Sequence, residues 1–252
     1  DPGNAADTTT YGAVADAFQI MKFEFTNQQY ADFLNSVDAD GNNPNAVYNA
    51  NMGSNARGGI SFTSGAASGS KYAIRTNMGD KPVNFVSWFD AARVANWLQN
   101  GQGSGSTETG AYTLSGAISG TAPAANPGAS YLLPTEDQWY KAAYYKGGGT
   151  NAGYWDYATQ SDTAPTAVTA GSTGIGSAGI GSTANFANYD NGADWNSLNG
   201  NVTTVGTNGR PSDFGGFDLN GNVWEWNDGG GTAGNRVLRG GSFVSQAVLL
   251  KS

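Results

Sequence analysis

Apolar side chains recur at helical spacing in three places along the chain, each time behind the same polar start signal. Thr26-Asn27-Gln28-Gln29 is a capping box, in which the Thr hydroxyl and the Gln amide satisfy free backbone N–H groups at a helix start. Behind it Tyr30, Phe33, Leu34 and Val37 fall at i, i+3, i+4 and i+7, which predicts one apolar helix face. Ser87-Trp88-Phe89-Asp90 opens a second helix, carrying Ala91, Ala95 and Leu98 inward and ending at Gly101. Thr135-Glu136-Asp137-Gln138 opens a third, with Trp139, Ala142 and Ala143 on one face and Gly147 just past its end. Short extended runs are expected at 17–25, 83–86, 222–226 and 236–250. Segments 101–130 and 163–185 are rich in Gly, Ser, Thr and Ala and almost uncharged. Because Trp, Tyr and Phe continue on both sides, these read as long irregular loops packed on a scaffold. The pattern predicts one α+β domain over residues 1–252, with few helices, small antiparallel sheets and long loops.

Composition narrows the chemistry. The 252 residues include 12 Lys+Arg and 20 Asp+Glu, a net charge of −8, and 38 Gly. An acidic chain with scattered basic residues argues against nucleic acid or an anionic membrane as partner. No run of 18 or more apolar residues is present, so no segment here is suited to span a bilayer. The chain has neither Cys nor His. That removes the thiolate nucleophile, the disulfide framework, the Ser-His-Asp triad and the facial iron triad. Few lysines and abundant Gly, Asn, Ser and Thr suggest a secreted or cell-surface protein. On this reading a signal peptide has been removed before Asp1, and Val248-Leu249-Leu250 is a strand cut short at the C-terminal end.

Five motifs in order carry a resemblance. Lys22-Phe23-Glu24-Phe25-Thr26-Asn27 precedes the first helix, and Pro82-Val83-Asn84-Phe85-Val86-Ser87-Trp88 leads into the second. Leu133-Pro134-Thr135-Glu136-Asp137-Gln138-Trp139 opens the third. Phe217-Asp218-Leu219-Asn220-Gly221-Asn222-Val223-Trp224-Glu225-Trp226 follows, then Arg236-Val237-Leu238-Arg239-Gly240-Gly241-Ser242-Phe243. From about residue 15 onward this series resembles the formylglycine-generating enzyme, or sulfatase-modifying factor, family. The resemblance implies a C-type lectin-like fold. It also implies copper held by two cysteines after the Gly-Gly-Ser-aromatic motif, in enzymes that oxidise a sulfatase cysteine. Those positions fall at Ser245 and Leu250. Copper(I) wants soft sulfur, and the histidines that hold iron in the family's sulfoxide-synthase branch are also missing, so neither copper nor iron is expected.

The resemblance further implies calcium at Asn220, Gly221, Val223 and Glu225, through backbone oxygens and the Glu carboxylate. Calcium prefers such hard donors. The alternative is a structural Glu225 bonded to backbone amides or an arginine. Alternation places Trp224 and Trp226 on one strand face and Glu225 on the other. A weaker second calcium site is Asn188, Tyr189, Asp194 and Asn196, against a plain surface loop whose Asn and Asp form turns. Of the other glutamates, Glu136 fits helix-end stabilisation, and Glu24 a strand face or a bond to neighbouring backbone. Arg236 and Arg239 face differently, with Arg239 expected to pair with Asp218 or Glu225. Asp38-Ala39-Asp40-Gly41-Asn42 lacks the Gly and Glu of an EF-hand and reads as a solvated turn. Trp226-Asn227-Asp228 matches a short calcium and sugar signature of C-type lectins. Gly147-Gly148-Gly149 and Gly229-Gly230-Gly231 lack the Lys-Ser/Thr of a phosphate loop.

The functional expectation is a secreted, catalytically inactive family member acting as a binding or surface-structural, self-assembling domain. Its partner would be an extracellular protein, a glycan or further copies of itself, with calcium as a structural ion. The competing readings are an oxidase-type enzyme that modifies extracellular protein and a calcium-dependent glycan-binding protein.

Overall fold

The structure, a computed structural model, describes residues 11–148, 153–230 and 236–252. The start at Asp1 and the glycines 149 and 231 lie outside the described residues. Contacts group the chain into two compact units. One comprises Asp1–Glu24, Pro134–Glu225 and Leu238–Ser252, the other Phe25–Leu133 and Trp226–Val237.

The second of these is organised by two capped helices. Thr26 and Gln29 bond each other's backbone at the start of α1 (Asn27–Val37), and Ser87 and Asp90 do so for α3 (Trp88–Gln99). A single turn, α2 (Asn51–Ser54), leads to β1 (Ile60–Phe62). β1 pairs antiparallel with β2 (Tyr72–Ile74), Ser61 opposite Ala73. Tyr30, Phe33 and Leu34 are buried with Met52, Ile60, Val94 and Trp97. Phe33 meets Trp97 edge-on at 5.5 Å. Burying each such side chain contributes roughly 1.5–3 kcal/mol, which is why the expected stripe faces inward.

The polar face of α3 explains how the Gly/Ser-rich loop after it stays packed. Arg93, fully buried, forks onto Glu108 at 2.9 and 3.2 Å and donates to the Ala117 carbonyl at 2.9 Å. Asn96 donates to the carbonyls of Thr107 and Tyr112 and accepts from the Tyr112 N–H. A chain with few side chains to bury is held here by amide and guanidinium clamps.

In the first unit, α4 (Glu136–Tyr144) begins at a Thr135–Gln138 capping box. It buries Trp139, Ala143 and Tyr144 against Ala158 and Leu219. Two residue pairs form a parallel ladder between β3 (Thr166–Ala167) and β4 (Phe186–Ala187), where only antiparallel pairing was expected. A 3-10 turn spans Ala247–Leu250. β5 (Glu225–Gly230) pairs with β6 (Arg236–Arg239), and residues Trp226–Val237 of this hairpin count with the second unit.

Three expected strands need correction. Residues 17–25 and 83–86 join no ladder, beyond a single bridge at neighbouring Thr26 and Pro82. Phe85 is left-handed (φ 63°), which breaks any extended run there. The 236–250 run ends at Arg239, because Gly240 and Gly241 turn the chain at φ 93° and 80°. Val248, Leu249 and Leu250 therefore lie in the 3-10 turn and are not a strand.

Candidate functional site

The Gly-Asn-Val-Trp-Glu segment and the Gly-Gly-Ser-Phe turn come together in the first unit. Asp218, Gly221 and Asn222 are all left-handed, a tight sequence of turns. Gly221 allows the closest approach: a Cβ there would sit 2.1 Å from the Asn188 carbonyl oxygen. Gly221 N–H donates to Gly240 O, Asn222 N–H to Asn188 O, and Phe243 N–H to Asn222 O, all at 2.8–2.9 Å.

Beneath these turns runs a buried polar network. Glu24 accepts from the Asn222 amide at 2.6 Å and from the Val223 N–H at 3.1 Å. Asn222 Oδ1 in turn accepts from Asn188 and Thr203, and Thr203 Oγ1 donates to Asn208. Asn208 donates to Asp218 at 2.8 Å. Burial holds the Glu24 carboxyl well above its usual pKa, helped by repulsion from Asp218 and Glu225. Burial alone raises Asp218 to about 6, against hydrogen bonds from Gly206 and Asn208. Glu225 is pushed up to about 7, again chiefly by burial, with the Trp139 indole N–H at 2.6 Å favouring the ionised form.

The four residues of the first calcium expectation therefore share one turn. The Asn220 side chain accepts from Ala158 N–H and donates to Leu250 O, so any ion here would meet the Asn220 main-chain carbonyl and not its amide. Gly221 and Val223 also offer carbonyls, and Glu225 a buried carboxylate. This hard-oxygen set fits calcium. Among the described residues no group of three or more acidic, Cys or His side chains is placed to hold a metal, so such an ion would rest mainly on carbonyls.

The residues of the second expected set make separate contacts. Asn188 is fully buried in the amide network, its Oδ1 without a partner, while Tyr189 donates to Pro165 O at 2.5 Å. Asp194 is exposed and accepts from Gly200 N–H, and Asn196 is exposed with φ 56°.

Ser245 and Leu250 flank Gly241: a Cβ built there would lie 2.9 Å from Leu250 Cδ1 and 3.4 Å from Ser245 Cβ. The turn thus brings the two positions together, but with other chemistry. The Ser245 hydroxyl accepts from Ser242 N–H and lies 3.2 Å from the Ser242 hydroxyl. Leu250 is fully buried with Tyr157, Ala187 and Tyr189. A bonded hydroxyl and a methyl-lined core position do not fit copper(I).

Other expectations shift. Trp224 precedes β5 and is exposed, and the Trp226 indole donates to Val86 O. Arg239 pairs with Glu136. Arg236 joins Asp228 at 3.1 Å, and Tyr112 donates to that same carboxylate, which occupies the Asp of the Trp-Asn-Asp signature. Glu24 lies on no strand; its partners are nearly 200 positions away, and no local pattern could have found them.

Few helices, strands of two to six residues, loops clamped by polar side chains and this glycine-lined pair of turns make up an α+β domain. The family model of the Sulfatase-modifying factor enzyme 1-like domain matches residues 4–252, and the chain belongs to that family. Comparison with curated proteins gives no match. Among solved structures the chain is similar to the crystal structure of CarF, at 22% identity and a TM-score of 0.49, covering 92% of this chain and 77% of that one. It is also similar to Treponema denticola variable protein 1, at 19% identity and a TM-score of 0.40, covering 90% and 74%.

Proposed function

We propose that the chain is a secreted, catalytically inactive member of its family that acts as a binding or surface-structural domain. One observation carries this reading: Ser245 and Leu250 occupy adjoining positions beside Gly241, and neither offers a thiolate. The oxidation of a peptide cysteine in this family would need copper there, so the scaffold is left with recognition or assembly as its task. Its long loops supply the surface for an extracellular protein, a glycan or further copies of the chain. Calcium is a structural ion in this account, held by the Asn220, Gly221 and Val223 carbonyls and by Glu225. The direct test incubates the protein with copper(I), oxygen and a cysteine-containing sulfatase peptide, then weighs the peptide by mass spectrometry. Unchanged peptide is expected. Conversion of the thiol to an aldehyde above the protein-free control would overturn the proposal.

A further inference from the structure

The unit that contains α1 and α3 holds a cavity of about 150 Å³, open on one side. Val37, Pro44 and Val47 give it an apolar lining, and Asn45, Ser104 and Ser106 a polar one. Buried Asp38 and Thr107 complete the lining. Clamps from α3 preform the loop wall: Trp97 donates to Gly103 O at 3.0 Å, Asn100 to Ser106 O at 3.2 Å, and Asn96 to Thr107 O at 2.6 Å. A ligand would therefore meet a wall that need not be ordered on binding.

Size and chemistry select the guest. The space equals that of about five waters, well under that of a drug-sized pocket, so it takes one small ring. The Asp38 carboxylate accepts from Asn42 N–H, Asn43 N–H and the Tyr72 hydroxyl. A carboxylate has about four lone-pair positions, which leaves one for a donor in the cavity. Its charge opposes an anion. No second carboxylate lines the space, and calcium needs six to eight oxygens. A ring with C–H groups and several hydroxyls matches a lining that mixes apolar side chains, hydroxyls, an amide and a single carboxylate acceptor. We propose that this cavity binds one pyranose residue of a glycan, without a metal.

The site stands apart from the reading of Ser245 and Leu250, so either can fail alone. The test is saturation-transfer NMR on the whole chain with a panel of free hexoses and N-acetylhexosamines at millimolar concentration, with and without a chelator. Transfer to the ring protons of at least one sugar is expected, unchanged by chelation. Gly105 lines the cavity and has open space around it, so Gly105→Leu adds bulk at the cavity wall without a clash; its thermal midpoint should match that of the parent. That variant should lose the signal, and Asn45→Ala should weaken binding roughly three- to tenfold, the loss of one neutral hydrogen bond. Absence of transfer from every sugar, persistence of the signal in folded Gly105→Leu, or its loss on chelation would each overturn the proposal.

Discussion

Arg239→Ala tests the packing that positions the Gly-Gly turn. The guanidinium bonds the Glu136 carboxylate through Nε at 2.8 Å and through a second nitrogen, and lies 4.7 Å from the centre of the Tyr11 ring. The two side chains are only 11% and 7% exposed. Removing one partner of such a pair leaves a buried charge and typically costs about 3–5 kcal/mol. Two smaller effects oppose each other. Losing the ring contact adds roughly 0.5–1 kcal/mol. Glu136, as the first residue of α4, keeps the favourable helix N-terminus, which returns roughly as much. The expected loss is about 3 kcal/mol, read as a lower urea midpoint at an unchanged slope. Lys146→Ala supplies the contrast, because the Lys146–Asp162 pair is 28% and 56% exposed and should cost under about 1 kcal/mol. A loss for Arg239→Ala no larger than that of Lys146→Ala would refute the buried-pair argument.

Gly221→Ala combines a left-handed backbone with a 2.1 Å approach to a main-chain oxygen that cannot rotate away. A loss above about 3 kcal/mol is expected from left-handed strain plus overpacking, and a neutral result by the same denaturation assay would contradict the described turn. Calcium at one hundred times its dissociation constant should stabilise the protein by about 2.7 kcal/mol, and Glu225→Gln should abolish that gain. A melting temperature indifferent to calcium and chelator would remove the proposed ion. Burial raises the hydroxyl pKa of Tyr30, Tyr72, Tyr112 and Tyr144, with Asp38 and Asp228 adding to the effect at Tyr72 and Tyr112. The unfolded chain ionises these groups near pH 10 while the folded chain resists, so stability holds below about pH 10 and falls above it. Phenolate absorbance should then appear together with loss of circular dichroism; earlier titration of all twelve tyrosines in a folded protein would contradict this.

The three longer helices were legible because their signals are local, whereas the single turn α2 has no side-chain cap and gave none. Thr26 with Gln29, Ser87 with Asp90 and Thr135 with Gln138 form each cap within four residues. The strands were not. Ladders of two to six residues are too short for alternation to show, and the sequence 17–25, alternating in appearance, is used for other contacts: Phe23 stacks on Phe217 at 5.3 Å and Glu24 reaches Asn222. Arg239 and Glu136 were each visible as charged residues, but their pairing spans 103 positions and depends on how the turn packs. The clamps of Arg93 and Asn96 were equally hidden, since a buried polar residue on a helix looks like an exposed one until its partner is known. The copper positions at Ser245 and Leu250 were placed by motif order alone, and the turn at Gly241 does bring them together.

Competition for copper(I) against a chromophoric chelator tests the central claim most directly, measured on the protein and on the double variant Ser245→Cys/Leu250→Cys. The unaltered protein should leave all copper with the chelator. The double variant, with two thiols on either side of Gly241, should withdraw about one copper per chain. Stoichiometric copper retained by the unaltered protein would contradict the account.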